Sequence, residues 1–183
     1  MASFKEAQAF TPPAFYNFKP FFTLQPVRAT REKQLKLWRE LIFNFHVHHK
    51  SSMMSDPYSF ALFKNEVLNR ELSREGVNAV IDSLIGEGLA EWEDSSKAST
   101  NLIILTTSPA AVANQVYEWA NDSGLHDTIL TFYELHSGDG YIDAVFADVD
   151  RNILRKALDV LVDSNRAIVI PGESADEDGI KFT

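Results

Sequence analysis

The sequence contains no cysteine. Disulfides, zinc–thiolate sites and thiol nucleophiles are therefore excluded, and the absence fits a reducing compartment. Long apolar runs are missing as well. The longest, such as Leu102 to Leu105, are strand-sized, far short of the roughly 20 residues that cross a bilayer. The amino terminus, Met1-Ala2-Ser3-Phe4-Lys5-Glu6, lacks the basic-then-apolar pattern of a signal peptide. A soluble, cytoplasmic protein is expected. No Gly-x-Gly-x-x-Gly, Walker, Gly-x-Ser-x-Gly or His-Glu-x-x-His pattern occurs, so the commonest nucleotide, hydrolase and metalloprotease sites have no foothold. Basic residues are scarce in one half only. Residues 1–107 balance 12 Lys+Arg against 12 Asp+Glu, whereas residues 108–183 set 5 against 14 and carry the whole net charge of −9. Such a half repels phosphate backbones and attracts basic partners.

What the chain has in excess is concentrated near its start. Pro12 to Pro26 holds four prolines and five aromatics: Phe15, Tyr16, Phe18, Phe21 and Phe22. Each proline fixes its own φ, removes a donor and pushes the preceding residue towards an extended conformation. The expectation is an extended, polyproline-like arm over residues 1–26. Burying one such ring is worth roughly 1.5–3 kcal/mol, so the rings must pack either on the chain's own first domain or on another protein. Pro12-Pro13-Ala14-Phe15 is followed seven residues later by Lys19-Pro20-Phe21-Phe22. Two such hooks would suit two apolar grooves.

Beyond Pro26 the pattern becomes helical. Thr30 is the expected N-cap of a helix to about His49 with Leu35, Trp38, Leu41, Ile42 and Phe45 on one face. A shorter helix is expected from Ala61 to Asn69, burying Leu62, Phe63, Val67 and Leu68. Ser73 should cap a third helix with Val77, Val80, Ile81, Leu84 and Ile85 inward, stopped by Gly86 or Gly88, and a hairpin from Leu89 to Leu105 follows. Three helices and a hairpin describe a winged helix, here residues 27–107. Residues 108–183 repeat the plan. Ser108-Pro109 opens a helix ending at Gly124; Ile129 to Leu135 is a strand, a helix or one running into the other; Asp150 caps a helix with Leu154, Ala157, Leu158, Leu161 and Val162 inward. A wing from Ala167 to Phe182 closes the unit. A fixed offset of 77 residues superposes the two halves: Ser73 on Asp150, Val77 on Leu154, Gly88 on Asn165, Ile103 on Ile180. The fold class is α+β, two tandem winged-helix domains arising by duplication, preceded by the arm.

Candidate chemistry is sparse. His46 and His49 could share a helix face and hold a metal, but an exposed helix end favoured by the dipole is the simpler reading. Asp176-Glu177-Asp178 is read as a solvated loop tip, and no residue has a catalytic role. Winged helices also read DNA through their third helix, which makes a nucleic-acid-binding or transcription-related protein the alternative. Against it, Arg74 stands beside Glu75, Asp82 and Glu87, while Arg151, Arg155 and Lys156 stand beside Asp150, Asp159 and Asp163. Both wings are acidic where phosphate would lie.

Phe18-Lys19-Pro20-Phe21-Phe22-Thr23-Leu24-Gln25-Pro26, Thr30 to Leu35 and Trp38 closely resemble the start of the vacuolar protein sorting 25 family of the endosomal ESCRT-II complex. Leu62-Phe63 with Asn65, Leu89 to Trp92, Val116 to Trp119, Thr131 to Leu135 and Gly179 to Phe182 extend the resemblance along the chain. It implies tandem winged helices without catalysis or cofactor, two copies sitting in a Y-shaped complex with one copy each of vacuolar protein sorting 22 and 36. It further implies that Pro12, Pro13, Phe15, Pro20, Phe21 and Phe22 anchor the arm in pockets of those subunits. Residues 108–183 would engage the first helix of the ESCRT-III subunit vacuolar protein sorting 20, for sorting ubiquitylated cargo into multivesicular bodies. Contact with the endosomal membrane would be peripheral and through partners, with no direct nucleic acid. Lys19 departs from the pattern where the second hook would have its first proline, and Thr183 stands where an aromatic would end the chain.

Overall fold

The computed structural model describes residues 10–93, 100–126, 128–137, 144 and 146–183. The chain divides between Thr106 and Thr107 into two compact units, each with its own apolar core.

In the first unit helix α1, Arg28–His48, packs on α2, Arg74–Gly86. Trp38, Leu41 and Ile42 meet Val77, Val80, Ile81 and Leu84 in the core. The sheet order is β1 (Met53–Met54), β5 (Leu102–Ile104), β4 (Ala90–Trp92), all antiparallel. In the second unit α3, Pro109–Asp122, packs on α5, Arg151–Asp163. Strand β6, Ile129–Thr131, runs directly into the short α4, Phe132–Ser137. The sheet order there is β6, β8 (Gly179–Phe182), β7 (Ala167–Ile170). Each unit is a winged helix.

The duplication is visible in the elements. Helices α2 and α5 begin and end 77 residues apart. The Ser73 hydroxyl accepts from the Gly76 amide and the Asp150 carboxylate from the Asn152 amide, each satisfying a donor of the first turn. Gly88 and Asn165 stop the two helices at φ +67° and +55°, the left-handed geometry these residue types tolerate best.

Four expectations change. Arg28, not a residue after Thr30, opens α1; Val27 is its N-cap and makes no side-chain hydrogen bond, so Thr30 lies inside the helix. The helix expected over residues 61–69 is replaced by two 3-10 turns, Pro57–Ser59 and Ala61–Phe63, and a small hairpin of β2 (Lys64–Asn65) and β3 (Arg70–Glu71). The Asn65 carboxamide accepts from the Leu68 amide at 3.0 Å, and Asn69 turns at φ +51°. This local bond competes with the helix and leaves Val67 91% exposed at the hairpin tip.

The arm does not run fully extended: it makes 3-10 turns at Ala14–Asn17 and Lys19–Phe22, with Pro13 preceding the first and Pro20 in the first turn of the second. A proline φ suits a helical first turn as well as an extended strand. Finally, the offset of 77 holds through the first strand of each wing, Ala90 to Ala167, but not through the second. Ala90 pairs with Ile104 and Ala167 with Phe182, so the second wing is one residue longer and the strand offset there is 78. Ile180 corresponds to Leu102, both inward. Ile103 instead stands opposite Met53 and Glu91, on the outer face where Lys181 stands in the second sheet. The tip of the first wing, residues 94–99, and most of the acidic loop after α4 lie outside the described residues.

Candidate partner-docking site

The arm is fastened along α1, running opposite to it. Phe10 lies edge-on to Phe45 at 5.3 Å, with His48 at 5.6 Å and His49 at 6.3 Å. Further on, Phe21 stacks on Trp38 with centroids 4.3 Å apart, and Phe22 meets the same indole edge-on at 5.6 Å. At the far end Arg31 Nε donates to the Gln25 carbonyl at 2.7 Å.

Gln34 is the principal clasp. It occupies the buried stripe with Trp38, Leu41 and Ile42. Its Nε2 donates to the carbonyls of Phe21 (2.8 Å) and Thr23 (2.9 Å), and its Oε1 accepts from the Gln25 amide at 3.1 Å. Trp38 Nε1 adds a bond to the Phe21 carbonyl at 3.3 Å. A prolyl segment supplies few donors of its own, so side chains of the helix satisfy its carbonyls. The hairpin holds the arm from another side. The Tyr16 hydroxyl donates to the Lys64 carbonyl at 2.9 Å, and Asn65 Nδ2 donates to the Tyr16 carbonyl at 3.1 Å. Burial raises the Tyr16 pKa above its ordinary value.

These contacts sort the six hook residues. Phe21 and Phe22 are 5% and 2% exposed and belong to the core of the first unit. Phe15 is half-buried, its ring 5.1 Å from that of Phe21. Pro12 and Pro13 are half-buried and Pro20 is exposed. The first hook therefore lies half-buried, with Phe15 packed against the core, and the aromatic pair of the second is inside. Sequence reasoning assigned Gln34, Asn65 and Phe18 no role in the site, although Phe18 is one of the arm's five rings and Asn65 belongs to the family resemblance. Gln34 left a signal as a polar residue three and four positions from apolar ones on a helix face, and Phe18 as an aromatic between the two hooks.

In the second unit the wing folds onto α5. Arg155 Nη1 donates to Asp178 Oδ2 at 2.8 Å and its other amino group bonds the Ala175 carbonyl, while Arg151 pairs with Asp176. The two guanidinium groups also lie over the Phe132 ring, at 4.0 Å for Arg155 and 5.1 Å for Arg151. Asp178 accepts in addition from the Gly172 amide at 3.0 Å. That amide first, and then Arg155, hold its carboxyl below the usual range. Asp176 and Asp178 are thus engaged by arginines rather than displayed as a solvated tip. The arginines that a DNA-reading helix would offer to phosphate are turned to the protein's own carboxylates. On the outer face of this sheet Ile129, Lys181 and Ile168 stand in register, with Ile170 two pairs along on the same face. The three isoleucines are 56%, 54% and 42% exposed.

Of the histidines, His46 is buried with its Nδ1 3.0 Å from the Ser51 carbonyl oxygen, whereas His48 and His49 are exposed against Phe10. Among the described residues no group of three His, Asp or Glu side chains could hold a metal ion, and no helix is long and apolar enough to cross a membrane.

The comparisons agree with one another. The family model for an ESCRT-II complex subunit matches residues 15–150. Vacuolar protein sorting-associated protein 25 of Arabidopsis thaliana is 37% identical over 171 residues, covering 93% of this chain and 94% of the relative. The Homo sapiens protein of that name is 36% identical over 178 residues, covering 96% and 99%. Among solved structures, the VPS25 subunit of the endosomal trafficking complex ESCRT-II is similar with a TM-score of 0.76 and 28% identity, over 93% of this chain and 98% of that one. A chain in the crystal structure of the endosomal complex ESCRT-II (VPS22/VPS25/VPS36) gives 0.75 and 27% over the same shares.

Proposed function

The chain belongs to the vacuolar protein sorting-associated protein 25 family of ESCRT-II subunits, and from that membership we propose that it is a non-catalytic adaptor joining two classes of partner. Its first unit docks through the arm onto the counterparts of VPS22 and VPS36, with two copies in each complex. Its second unit engages a basic helix of an ESCRT-III subunit, vacuolar protein sorting 20. The protein works in the cytoplasm and is recruited to endosomes through these partners. The observation that carries the reading is the likeness over nearly the full length, spanning both winged helices, to a subunit solved together with VPS22 and VPS36.

Two features support the finer points. Pro12 and Pro13, half-buried at the surface ahead of a 3-10 turn, keep a rigid prolyl edge available to an apolar groove. The exposed isoleucines of the second sheet, on a half of the chain carrying the whole charge of −9, suit a helix with one apolar and one basic face.

The test is co-expression with VPS22 and VPS36. Wild-type chain is expected to co-purify with them, and a Pro12→Ala, Pro13→Ala, Phe15→Ala variant to lose most of the capture. Undiminished capture of that variant would remove the first hook from the interface. Binding to an ESCRT-III helix should weaken with salt and be lost when Ile168 and Ile170 become aspartate.

A further inference from the structure

We propose that Phe18 is the aromatic anchor the arm presents to its partner, and that Lys19, the next residue, with Arg70, which lines the same depression as Lys19, adds a cationic collar to the same interface. The proposal rests on the docking reading above and assigns to that site a residue outside the two hooks. Phe18 is 63% exposed, whereas its aromatic neighbours on the arm, Phe21 and Phe22, are within the core. Its backbone is nonetheless fixed. The Phe18 amide donates to the Phe15 carbonyl at 3.0 Å, and its carbonyl accepts from the Phe21 amide at 2.9 Å. The residue is the joint between the two 3-10 turns, ending one and capping the other. On both sides the chain is tied down, by Tyr16 on the hairpin and by Phe21 on α1.

A large ring held in water on an immobile backbone does nothing for the fold. It does suit binding, because little freedom remains to be lost when a partner closes over it. Buried aromatic anchors at the centre of a patch carry most of the energy of an interface. The surroundings specify the cup that would receive it. Lys19, the residue after Phe18, lines one shallow depression with Pro20, Thr23, Gln25 and Arg70, and Lys19, Pro20 and Arg70 are exposed. The complementary surface is an apolar cup, one phenyl ring wide, with carboxylates on its rim, on another ESCRT-II subunit. Lys19, which breaks the proline pattern of the second hook, thereby acquires a role: it contributes charge where the pattern would place a rigid ring.

The experiment measures the affinity of the full chain for a VPS22–VPS36 subcomplex, with thermal unfolding of each variant as the control on folding. Phe18→Ala is expected to raise Kd by about 10- to 100-fold, as loss of a central anchor does, with the unfolding temperature unchanged. Lys19→Glu with Arg70→Glu is expected to weaken binding and to flatten its salt dependence. Affinity of Phe18→Ala within twofold of wild type would overturn the anchor. An unfolding temperature lowered as far as in Phe22→Ala would also overturn it, by making the ring structural. Wild-type binding that ignores salt would overturn the collar. A wild-type chain that fails to bind at all would instead defeat the docking reading itself, and this proposal with it.

Discussion

Replacing Phe22 with alanine should unfold the first unit well before it affects any partner. The ring is 2% exposed and lies edge-on to Tyr16 at 5.3 Å, Trp38 at 5.6 Å and Phe21 at 5.8 Å. Truncating a buried phenylalanine costs about 3–5 kcal/mol, the transfer of the ring plus the cavity it leaves. Three edge-to-face partners place this site at the upper end, since each such pair adds about 0.5–1.5 kcal/mol beyond area. Most of a domain's stability, roughly 5–15 kcal/mol, is then at risk. At about 4 °C per kcal/mol for a unit near 100 residues, the melting temperature should fall by about 12–20 °C. Near-ultraviolet circular dichroism reads the change directly, because the stacked Phe21 and Trp38 give a signal that depends on the arm being in place. A fall of less than about 3 °C, under 1 kcal/mol on the same scale, would mean that the arm leaves the core in solution. The reasoning that makes Phe21 and Phe22 structural would then be wrong.

Other expectations follow from the same contacts. Gln34→Ala removes the partner of the Gln25 amide, while the Phe21 carbonyl keeps Trp38 Nε1 and the Thr23 carbonyl keeps Gln25 Nε2; it should cost about 1–3 kcal/mol and speed amide exchange at Gln25. Gly88→Ala places a Cβ at φ +67° and should lower the stability of the first unit by about 1–2 kcal/mol, whereas Asn165→Gly at φ +55° should be neutral or slightly stabilising in urea titration. The lowered Asp178 pKa means that the carboxylate's contribution is full at and above its ordinary value of 3.8 and fades as pH falls through the lowered one. Acid should therefore release the second wing, seen as a shift of the Gly172 amide resonance, and Asp178→Asn should abolish that transition.

Much of the fold was legible because it rests on local rules. The caps Ser73 and Asp150, four of the five inward positions on each of α2 and α5 and the left-handed stops are each written within one or two turns. The fifth positions differ: Ile85 is half-buried, and Val162, expected inward, is 38% exposed while Ile153 enters the core instead. The segment from Ala61 to Asn69 misled for the opposite reason. Leu62, Phe63, Val67 and Leu68 read as one helical face, yet a single hydrogen bond from Leu68 to the Asn65 side chain redirects the backbone into a hairpin. The arm was ambiguous on principle. Composition demands that its five rings be covered but cannot say by what. Trp38 and Gln34, more than ten residues away in sequence, decide it by covering two of them and leaving Phe18 in water.

The extra residue in the second wing bears on how duplicated domains diverge. The added residue is taken up between the paired strands: Ala90 faces Ile104 as Ala167 faces Phe182, so every strand position keeps its side of the sheet. In the first sheet the outer position opposite Met53 and Glu91 is an isoleucine only 3% exposed; in the second its counterpart is Lys181, set between two isoleucines open to solvent. The inward series, Leu102 and Ile104 against Ile180 and Phe182, remains fully apolar. A duplicate can thus acquire a different outer surface by substitution at alternate strand positions while its interior and its register stay as they were. Divergence of that kind demands no compensating substitutions in the core, so a copied domain is free to seek a new partner from the first outward-facing substitution it accepts.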